Sequence, residues 1–378
     1  IPTDSMSRNP PVTVLMPCFN GGPYLRPAIE SILHQTHRDF EFLIINDCST
    51  DDSLETIRSF GDPRIRVHTN EQNMGQTKSL NVGLRLARGK YVVVNDADDY
   101  SLPRRIEVQL DFIVRNPGYP VVGTSCYIMD SQGRIQRTFL RPTDPREIAL
   151  QFLSDTPITH GSVIMDREAV LSAAGGYNEE FRIIQDYELW STLMRKGIRV
   201  MNLPDILVVI RTFADSISFR ERDAQTIENG KTIRANVEAM TGIAITLEEA
   251  VRQRHFFAAP ERLAPDEFDR AEQLFVREYE ELRPGLHPGT SYLREDLASR
   301  LVKPYVKLAI ARSQDGNPRE ARRLTMRYMR RYGRKKLPLL VWALSFLGAP
   351  ALGGAIRFYE RRQTAAARKS YPLAAQGM

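Results

Sequence analysis

The chain has 378 residues and a formal net charge of +6 at pH 7. Hydrophobic residues make up 42% of it and charged residues 26%, which excludes a mostly disordered chain and allows about two or three domains. Its three cysteines, Cys18, Cys48 and Cys126, are far apart and form no CxxC pair, which excludes a disulfide framework or zinc site and indicates a reducing compartment.

The first hundred residues alternate short apolar runs with amphipathic segments. We set residues 1–5 aside as an expression scar, and no secretory signal peptide is visible. Strands are predicted at Val12–Met16, Phe42–Ile45, Ile65–Val67 and Tyr91–Asn95, and helices at Leu25–Leu33, Leu54–Phe60 and Thr77–Ala87. Connections of this length favour parallel strands joined by right-handed crossovers.

An acidic segment follows the fourth predicted strand. Asp96, Asp98 and Asp99 lie directly after the apolar run 91–94. Ligands bind at strand ends in open α/β sheets, and crowded carboxylates repel one another unless a cation or donors neutralise them. Carboxylates at this spacing suit Mg²⁺ or Mn²⁺ carrying a phosphorylated substrate. The competing interpretation is an acidic turn that caps a helix beginning near Pro103.

The pattern becomes mixed after residue 120 and helical after about residue 222. Strands are predicted at 121–123, 162–165 and 206–210, and a helix at 187–196. We therefore predict an α/β catalytic domain at 6–240, a helical linker region at 241–299 and a basic helical region at 300–378.

Several short motifs occur in a characteristic order. They are Pro17-Cys18-Phe19-Asn20, Ile44 to Asp51, Asn73-Met74-Gly75, Asn95 to Asp99, and Gly175-Gly176-Tyr177 followed by Gln185 to Trp190. In this order they resemble the family 2 glycosyltransferases with a GT-A fold, over about residues 10–220. The resemblance implies a Rossmann-like, mixed and mainly parallel sheet flanked by helices. It also implies sugar transfer from a nucleoside-diphosphate sugar.

The resemblance places the nucleoside of the donor at the first two strand ends. Phe19 would cover the base beside Pro17 and Asn20, or else would be a core aromatic residue. Asp47 would accept a hydrogen bond from the base, or else would cap the following helix. Asn46 replaces an acidic residue that is common in the family.

The same resemblance assigns the diphosphate and the metal. Asn73 belongs to a donor-side loop, and Lys78 lies near the diphosphate or is a solvated helix residue. Asp98 contacts Mn²⁺ or Mg²⁺ directly, and Asp96 lies near both the ribose and the metal. The metal would neutralise charge on the leaving diphosphate.

One position departs from the family pattern. Many relatives have Arg-x-His after the strand at 206–210, and that histidine helps to bind metal or diphosphate. Here Phe213 stands in its place, although Arg211 can still contact phosphate. The resemblance therefore leaves the dependence on a divalent metal open at this position.

The acceptor side is assigned to the later motifs. Asp186 matches the aspartate of the acidic family motif, in which Gln185 replaces glutamate, and it would be the general base rather than a helix cap. One base opposite one leaving group implies single displacement with inversion. His160 and Trp190 are further acceptor-side candidates, with a structural histidine as the competing interpretation of His160.

These assignments predict an inverting glycosyltransferase that moves a sugar, by default from a UDP-sugar, to a hydroxyl of a glycan or lipid-linked acceptor. Surface polysaccharide or glycolipid assembly is the expected setting. The alternatives are a sugar-nucleotide-binding protein that has lost catalysis and a nucleotidyltransferase. An oxidoreductase and a P-loop NTPase are disfavoured, because GxGxxG and GxxxxGK[ST] are absent.

The positive charge is concentrated at the C-terminus. Residues 300–378 contain 18 lysines and arginines and three acidic residues, and the uncharged run 337–356 follows a basic stretch at 319–336. Because prolines and glycines interrupt this run, we predict two short interfacial helices on an anionic membrane, and a soluble hairpin is the alternative. The predicted location is cytoplasmic, peripheral or monotopic at the inner membrane face, and no nucleic-acid partner is expected.

Overall fold

The computed structural model describes residues 10–213, 220–286 and 293–333. They divide into two compact units. The first runs to Gln151 and resumes over Thr156–Gln225, and the second contains Phe152–Asp155 and the residues from Thr226 onward.

The first unit is built on one sheet of nine strands. They are β1 (Val12–Cys18), β2 (Phe40–Asn46), β3 (Ile65–Thr69), β4 (Tyr91–Val94), β5 (Tyr100–Ser101), β6 (Val121–Met129), β7 (Ile135–Phe139), β8 (Ile164–Asp166) and β9 (Val200–Arg211). Every residue of β1, β2 and β4 is buried, which explains why these strands are continuous apolar runs.

One half of the sheet is parallel and runs in the order β3-β2-β1-β4. The helices of this unit are α1 (Gly22–Leu33), α2 (Ser53–Arg58), α3 (Gln76–Leu86), α4 (Arg105–Arg115), α5 (Pro145–Gln151), α6 (Arg167–Ala174) and α7 (Gln185–Arg195). Because α1, α2 and α3 connect the parallel strands, the carboxyl ends of these strands and their loops meet at one edge.

The other half of the sheet is mixed. β8 is antiparallel to both β4 and β6, β6 is parallel to β9, and β5 is antiparallel to β9. β8 therefore joins the parallel half to the mixed half, and it brings the segment before Ile164 next to the end of β4. β7 pairs only with β6 in the described sheet, and its residues are partly or fully exposed.

The structure corrects the helix-cap interpretation of the acidic segment. α4 begins at Arg105 with Arg104 at its N-cap, so Pro103 does not start a helix. Instead Tyr100 and Ser101 form β5 and pair with β9. The carboxylates of Asp96, Asp98 and Asp99 are thus left between two strands, where none of them is the N-cap of α4.

The second unit is helical. Its helices are α8 (Arg222–Thr241), α9 (Leu247–Ala258), α10 (Pro265–Leu286), α11 (Leu293–Gln314) and α12 (Pro318–Tyr332), and the first residues of α8 belong to the first unit. The predicted linker region 241–299 thus contains α9 and α10. The run 337–356 lies outside the described residues, and no described helix combines the length and apolar character needed to cross a membrane.

A buried carboxylate ties α10 to α11 and α12. Glu272 accepts hydrogen bonds from the hydroxyls of Tyr305 and Tyr332, at 2.8 and 2.7 Å. Its other oxygen accepts bonds from Arg327 and Arg331, at 2.8 and 2.6 Å. The two arginine charges and four donors offset the cost of burying this carboxylate.

Glu278, also on α10, is buried without such compensation, and we expect its replacement by glutamine to stabilise the protein at alkaline pH. Burial raises the pKa of its carboxyl to about 8, against an ordinary value of 4.5. Unfolding therefore releases a proton between these values, so the free energy of unfolding falls as pH rises through this window. Glu278→Gln should remove the fall and add about 2–4 kcal/mol at pH 8.

Urea unfolding at several pH values measures this effect. Glu280→Gln, which removes an exposed carboxylate from the same helix, is the matched control and should leave the pH dependence unchanged. An identical pH slope in wild type and Glu278→Gln would contradict the prediction.

Candidate active site

Three carboxylates crowd the turn that follows β4. The N–H of Asp99 donates to the carbonyl of Asp96 at 3.2 Å, which closes the turn. Burial and the charge of Asp96 raise the pKa of Asp98 to about 6. Burial, followed by the charges of Asp98 and Asp96, raises the pKa of Asp99 well above its ordinary value. Burial and mutual repulsion thus outweigh the nearby positive charges of Arg211 and Arg105.

A buried arginine holds the turn from beneath. Arg105 is fully buried and its five N–H groups all donate hydrogen bonds. The acceptors are Gln109 Oε1, Asn95 Oδ1, Ser101 Oγ and the carbonyls of Val94 and Val163. Burial lowers the pKa of Arg105 to about 9, so the side chain remains a cation at pH 7. Arg105 was not identified from the sequence, because an arginine in the first turn of a predicted helix is usually expected to be exposed to solvent.

A glycine packs against the same carboxylates from the side of β8. A Cβ atom on Gly161 would lie 2.9 Å from Oδ2 of Asp99 and 3.4 Å from Oδ2 of Asp96. It would also lie 3.3 Å from Cδ1 of Ile210. A side chain on residue 161 would therefore require the carboxylate of Asp99 to move.

We expect Gly161→Ala to displace the acidic turn. Asp99 accepts a hydrogen bond from the backbone N–H of Arg211 at 2.9 Å and is buried, so it has little room to retreat. The variant should lose about 1–3 kcal/mol of stability through overpacking and also lose catalytic efficiency. Urea unfolding and steady-state kinetics measure the two losses. Full activity would show that the turn relaxes without consequence.

Arg211 closes the site on the side of β9. Its Nε donates to the carbonyl of Asp98 at 3.3 Å, and Nη1 donates to the carbonyl of Asp130 at 3.1 Å. The guanidinium lies 4.4 Å from the ring centroid of Tyr24, which in turn packs against Phe213 at 5.2 Å. Phe213, at the position where the resemblance implies histidine, thus contributes an aromatic contact. Nothing in the local sequence indicated a role for Tyr24.

Asp47 shapes the loop before α3. Its buried carboxylate accepts hydrogen bonds from Asn70 Nδ2 at 2.7 Å and from the N–H groups of Met74 and Gly75, at 2.9 and 2.8 Å. α2 begins at Ser53 with Asp52 as its N-cap, which excludes the capping interpretation of Asp47. Asn73 is exposed in this loop, and its side-chain oxygen accepts a bond from the Gly75 N–H at 3.2 Å.

The loop after β1 presents an aromatic ring to solvent. Phe19 is 48% exposed, which contradicts the core interpretation, whereas Pro17 is buried within β1. Asn20 has a left-handed backbone, and its side-chain oxygen accepts a bond from the Thr50 N–H at 2.8 Å. The loops after β1 and β2 are therefore joined beside the exposed ring.

A second group of polar residues lies between the acidic turn and α7. Nε2 of His160 is 2.9 Å from the hydroxyl of Tyr177, and its Nδ1 is 4.0 Å from Oδ2 of Asp96. Burial opposes charge on His160, but Asp96 and then Asp186 outweigh it and raise its pKa. Burial and the charges of Asp186 and Asp96 raise the pKa of Tyr177 well above its ordinary value. Two carboxylates, one from each predicted subsite, thus act on the same pair of side chains.

Asp186 is the second residue of α7 and is not its N-cap, which is Ile184. The helix-cap interpretation of Asp186 is therefore wrong. Gln185 is buried and its Nε2 donates to Oε1 of Gln76 at 3.4 Å, while Gln76 donates to Asp96 at 3.0 Å. Gln76, at the start of α3, thus connects the acidic turn to α7, a role that its sequence context did not reveal.

Two predicted site residues lie apart from these groups. Trp190 is fully buried on α7, which favours a packing role over an acceptor contact. Lys78 is exposed on the first turn of α3, so both its diphosphate role and its role as a solvated lysine stay open.

The acidic turn fits a metal ion that is shared with substrate. Within the described residues, no three His, Cys, Asp or Glu side chains are placed to hold a metal together. Asp96 and Asp98 supply two carboxylates, however, and Mg²⁺ or Mn²⁺ is commonly held by one or two carboxylates with substrate phosphates and water. Burial and then the charge of Asp96 raise the pKa of Asp98, and a cation bound at this turn would offset both effects.

Comparison with known proteins assigns the family. Residues 13–172 match the model of glycosyl transferase family 2. EpsE of Bacillus subtilis (strain 168), named as a glycosyltransferase, is 32% identical over 57% of this chain and 78% of EpsE. The chain is a family 2 glycosyltransferase. WfaP of Escherichia coli, named as a UDP-Glc:alpha-D-GlcNAc-diphosphoundecaprenol beta-1,3-glucosyltransferase, is 28% identical over 55% of this chain and 79% of WfaP.

A solved structure supports the fold of this glycosyltransferase. The crystal structure of residues 1–349 of S. aureus TarS in complex with UDP-GlcNAc matches with a TM-score of 0.53 and 17% identity. The match covers 86% of this chain and 93% of the TarS chain. The GT-A-like mixed sheet with flanking helices and a helical C-terminal region, as predicted from the sequence, is thus confirmed.

Proposed function

We propose that this glycosyltransferase transfers a sugar from a nucleoside-diphosphate sugar to an acceptor hydroxyl with inversion at the anomeric carbon. The observation that carries the proposal is the contact between His160 and Tyr177, whose Nε2 and hydroxyl are 2.9 Å apart. His160 Nδ1 lies 4.0 Å from Asp96 Oδ2 on the donor side, and the charge of Asp186 on the acceptor side acts on both side chains. A reaction that joins donor and acceptor requires this proximity.

The donor site is formed by the loops at the carboxyl ends of β1, β2 and β4. Phe19 stacks on the nucleobase, and the loop around Asn73, which Asp47 holds, lies along the nucleotide. A UDP-sugar is the expected donor. WfaP is named for UDP-Glc and the TarS structure contains UDP-GlcNAc, and both are consistent with this choice.

Asp96 and Asp98 would hold Mn²⁺ or Mg²⁺ against the diphosphate, where the bound metal supplies Lewis-acid stabilisation of the leaving group. Arg211 lies beside this position and adds a fixed positive charge. Arg105 keeps the turn in place through Asn95 and Ser101.

Asp186 accepts the proton of the acceptor hydroxyl as that oxygen attacks the anomeric carbon. The bond between the anomeric carbon and the diphosphate oxygen breaks at the same time, and its electron pair leaves with the diphosphate. A single carboxylate that works opposite the leaving group gives inversion, through an oxocarbenium-like transition state. His160 and Tyr177 contact each other beside Asp96.

The acceptor is proposed to be a glycan or a lipid-linked sugar at a membrane surface. Residues 300–378 carry a large excess of positive charge, which favours docking on the anionic inner face of the cell membrane. The name of WfaP describes an acceptor linked to diphosphoundecaprenol, which agrees with a membrane-bound substrate.

A thermal-shift panel tests the donor site. UDP, GDP, dTDP and CMP are each added with Mn²⁺, Mg²⁺ or EDTA. A nucleotide at about one hundred times its Kd adds about 2.7 kcal/mol, which raises the unfolding midpoint by a few degrees. We expect a shift with UDP that needs a divalent metal. A shift in EDTA would contradict the metal assignment, and no shift with any nucleotide would contradict the donor site.

A further inference from the structure

The second unit contains a groove between α10 and α12 that the transfer reaction does not use. Its volume is about 640 Å³. Four arginines, two acidic residues and an apolar surface line it. The arginines are Arg323, Arg327, Arg330 and Arg331, and the apolar surface comes from Pro265, Leu324 and Met326.

The two acidic residues of the groove already have cationic partners. Asp269 forms an ion pair with Arg327, and Glu320 lies 3.7 Å from Arg312. Arg331 is bonded to the buried Glu272. Among the described residues, Arg323 and Arg330 are exposed and have no carboxylate partner. The uncompensated charge of the groove is therefore positive and belongs to these two side chains.

We propose that this groove binds the phosphate of an anionic lipid headgroup. The inference rests on the membrane docking proposed above and names the site that performs it. A guanidinium fork pairs with two phosphate oxygens at once, which gives such a site more affinity than a diffuse charge does. The apolar lining and the arginine stems suit the glycerol and the first methylene groups of a lipid.

The chain around the groove favours a lipid over a free anion. α12 belongs to the stretch 319–336, which has nine basic residues and one acidic residue, and the uncharged run 337–356 follows it in sequence. A membrane surface that accepts this run would bring lipid phosphates close to α12. A free phosphate would engage the arginines but would leave the apolar lining unused.

Flotation of the full chain with vesicles tests the proposal. The vesicles contain phosphatidylcholine alone or together with phosphatidylglycerol. The groove variant is Arg323→Gln with Arg330→Gln, and the control is Lys303→Gln with Arg319→Gln. The control removes two exposed charges from the same unit, at positions that do not line the groove. Inorganic phosphate is titrated separately, with the unfolding midpoint as the readout.

We expect the groove variant to lose about 30-fold in affinity for anionic vesicles, and the control to lose about threefold or less.

Equal losses in both variants would overturn the groove and leave membrane docking standing. If the wild type does not bind vesicles, membrane docking itself is overturned. Transfer activity is measured in a separate assay, so this result does not bear on the proposed sugar transfer. Phosphate binding that needs the groove arginines, without vesicle binding, would show a free-anion site. A destabilised groove variant that still binds vesicles would indicate a structural role. A free-anion site and a structural role would each also overturn the assignment of the groove to a lipid headgroup.

Discussion

Replacement of Asp186 by asparagine is expected to lower sugar transfer by about 10²–10⁴-fold, which is the usual contribution of a general base. The amide has the shape of the carboxylate but cannot accept the proton of the acceptor hydroxyl. Donor binding should stay within about twofold of wild type, because the acidic turn and the loops of the donor site are unchanged. Initial rates give the transfer activity, and titration calorimetry with the nucleotide gives the donor affinity.

Glu180→Gln is the matched control, because it neutralises an exposed carboxylate in the segment before α7. It should transfer sugar at the wild-type rate. If Asp186→Asn is also fully active, the base lies elsewhere. If wild type binds the donor but transfers nothing to any acceptor tested, the alternative of a sugar-nucleotide-binding protein without catalysis is favoured.

Asp98→Asn is expected to weaken metal-dependent donor binding by about 100-fold or more. The variant leaves Asp96 as the only carboxylate of the proposed pair, and even residues that merely orient metal ligands cost about 10–100-fold in metal affinity. Stability in EDTA should not fall, because the change removes one of three crowded charges. Loss of affinity without loss of stability distinguishes a binding role from a structural one.

Calorimetry with UDP and Mn²⁺, together with thermal unfolding in EDTA, measures both quantities for Asp98→Asn. Asp111→Asn on α4 removes an exposed carboxylate and serves as the control. UDP binding that keeps its full Mn²⁺ dependence in Asp98→Asn would place the metal on other residues.

Burial explains which strands the sequence predicts. β1, β2 and β4 are buried on both faces, so their apolar runs are visible without any tertiary information. β5 has two residues and β7 is partly exposed, so neither leaves a hydrophobic pattern. Both strands depend on pairing with distant partners, which no local pattern encodes.

Some residues of the candidate site can likewise be predicted from the sequence, and others cannot. Asp96 and Asp186 belong to short motifs, so both can be identified from the sequence alone. Gly161 and Tyr177 acquire their roles through contacts with residues far along the chain, and Arg105 acquires its role through burial against the carbonyls of Val94 and Val163. The local sequence does not distinguish a buried arginine from a solvent-exposed one. It also does not distinguish a glycine that packs against a carboxylate from a glycine in an ordinary loop.

The five hydrogen bonds of Arg105 have a consequence for the thermodynamics of donor binding. They come from a permanent cation and fix both ends of the acidic turn without help from any ligand. The carboxylates should therefore lose little conformational freedom when the donor binds. Most of the conformational entropy lost on binding should be that of the nucleotide sugar. If the turn binds the diphosphate and its metal as proposed, its affinity should depend on their charge rather than on a rearrangement of its own backbone.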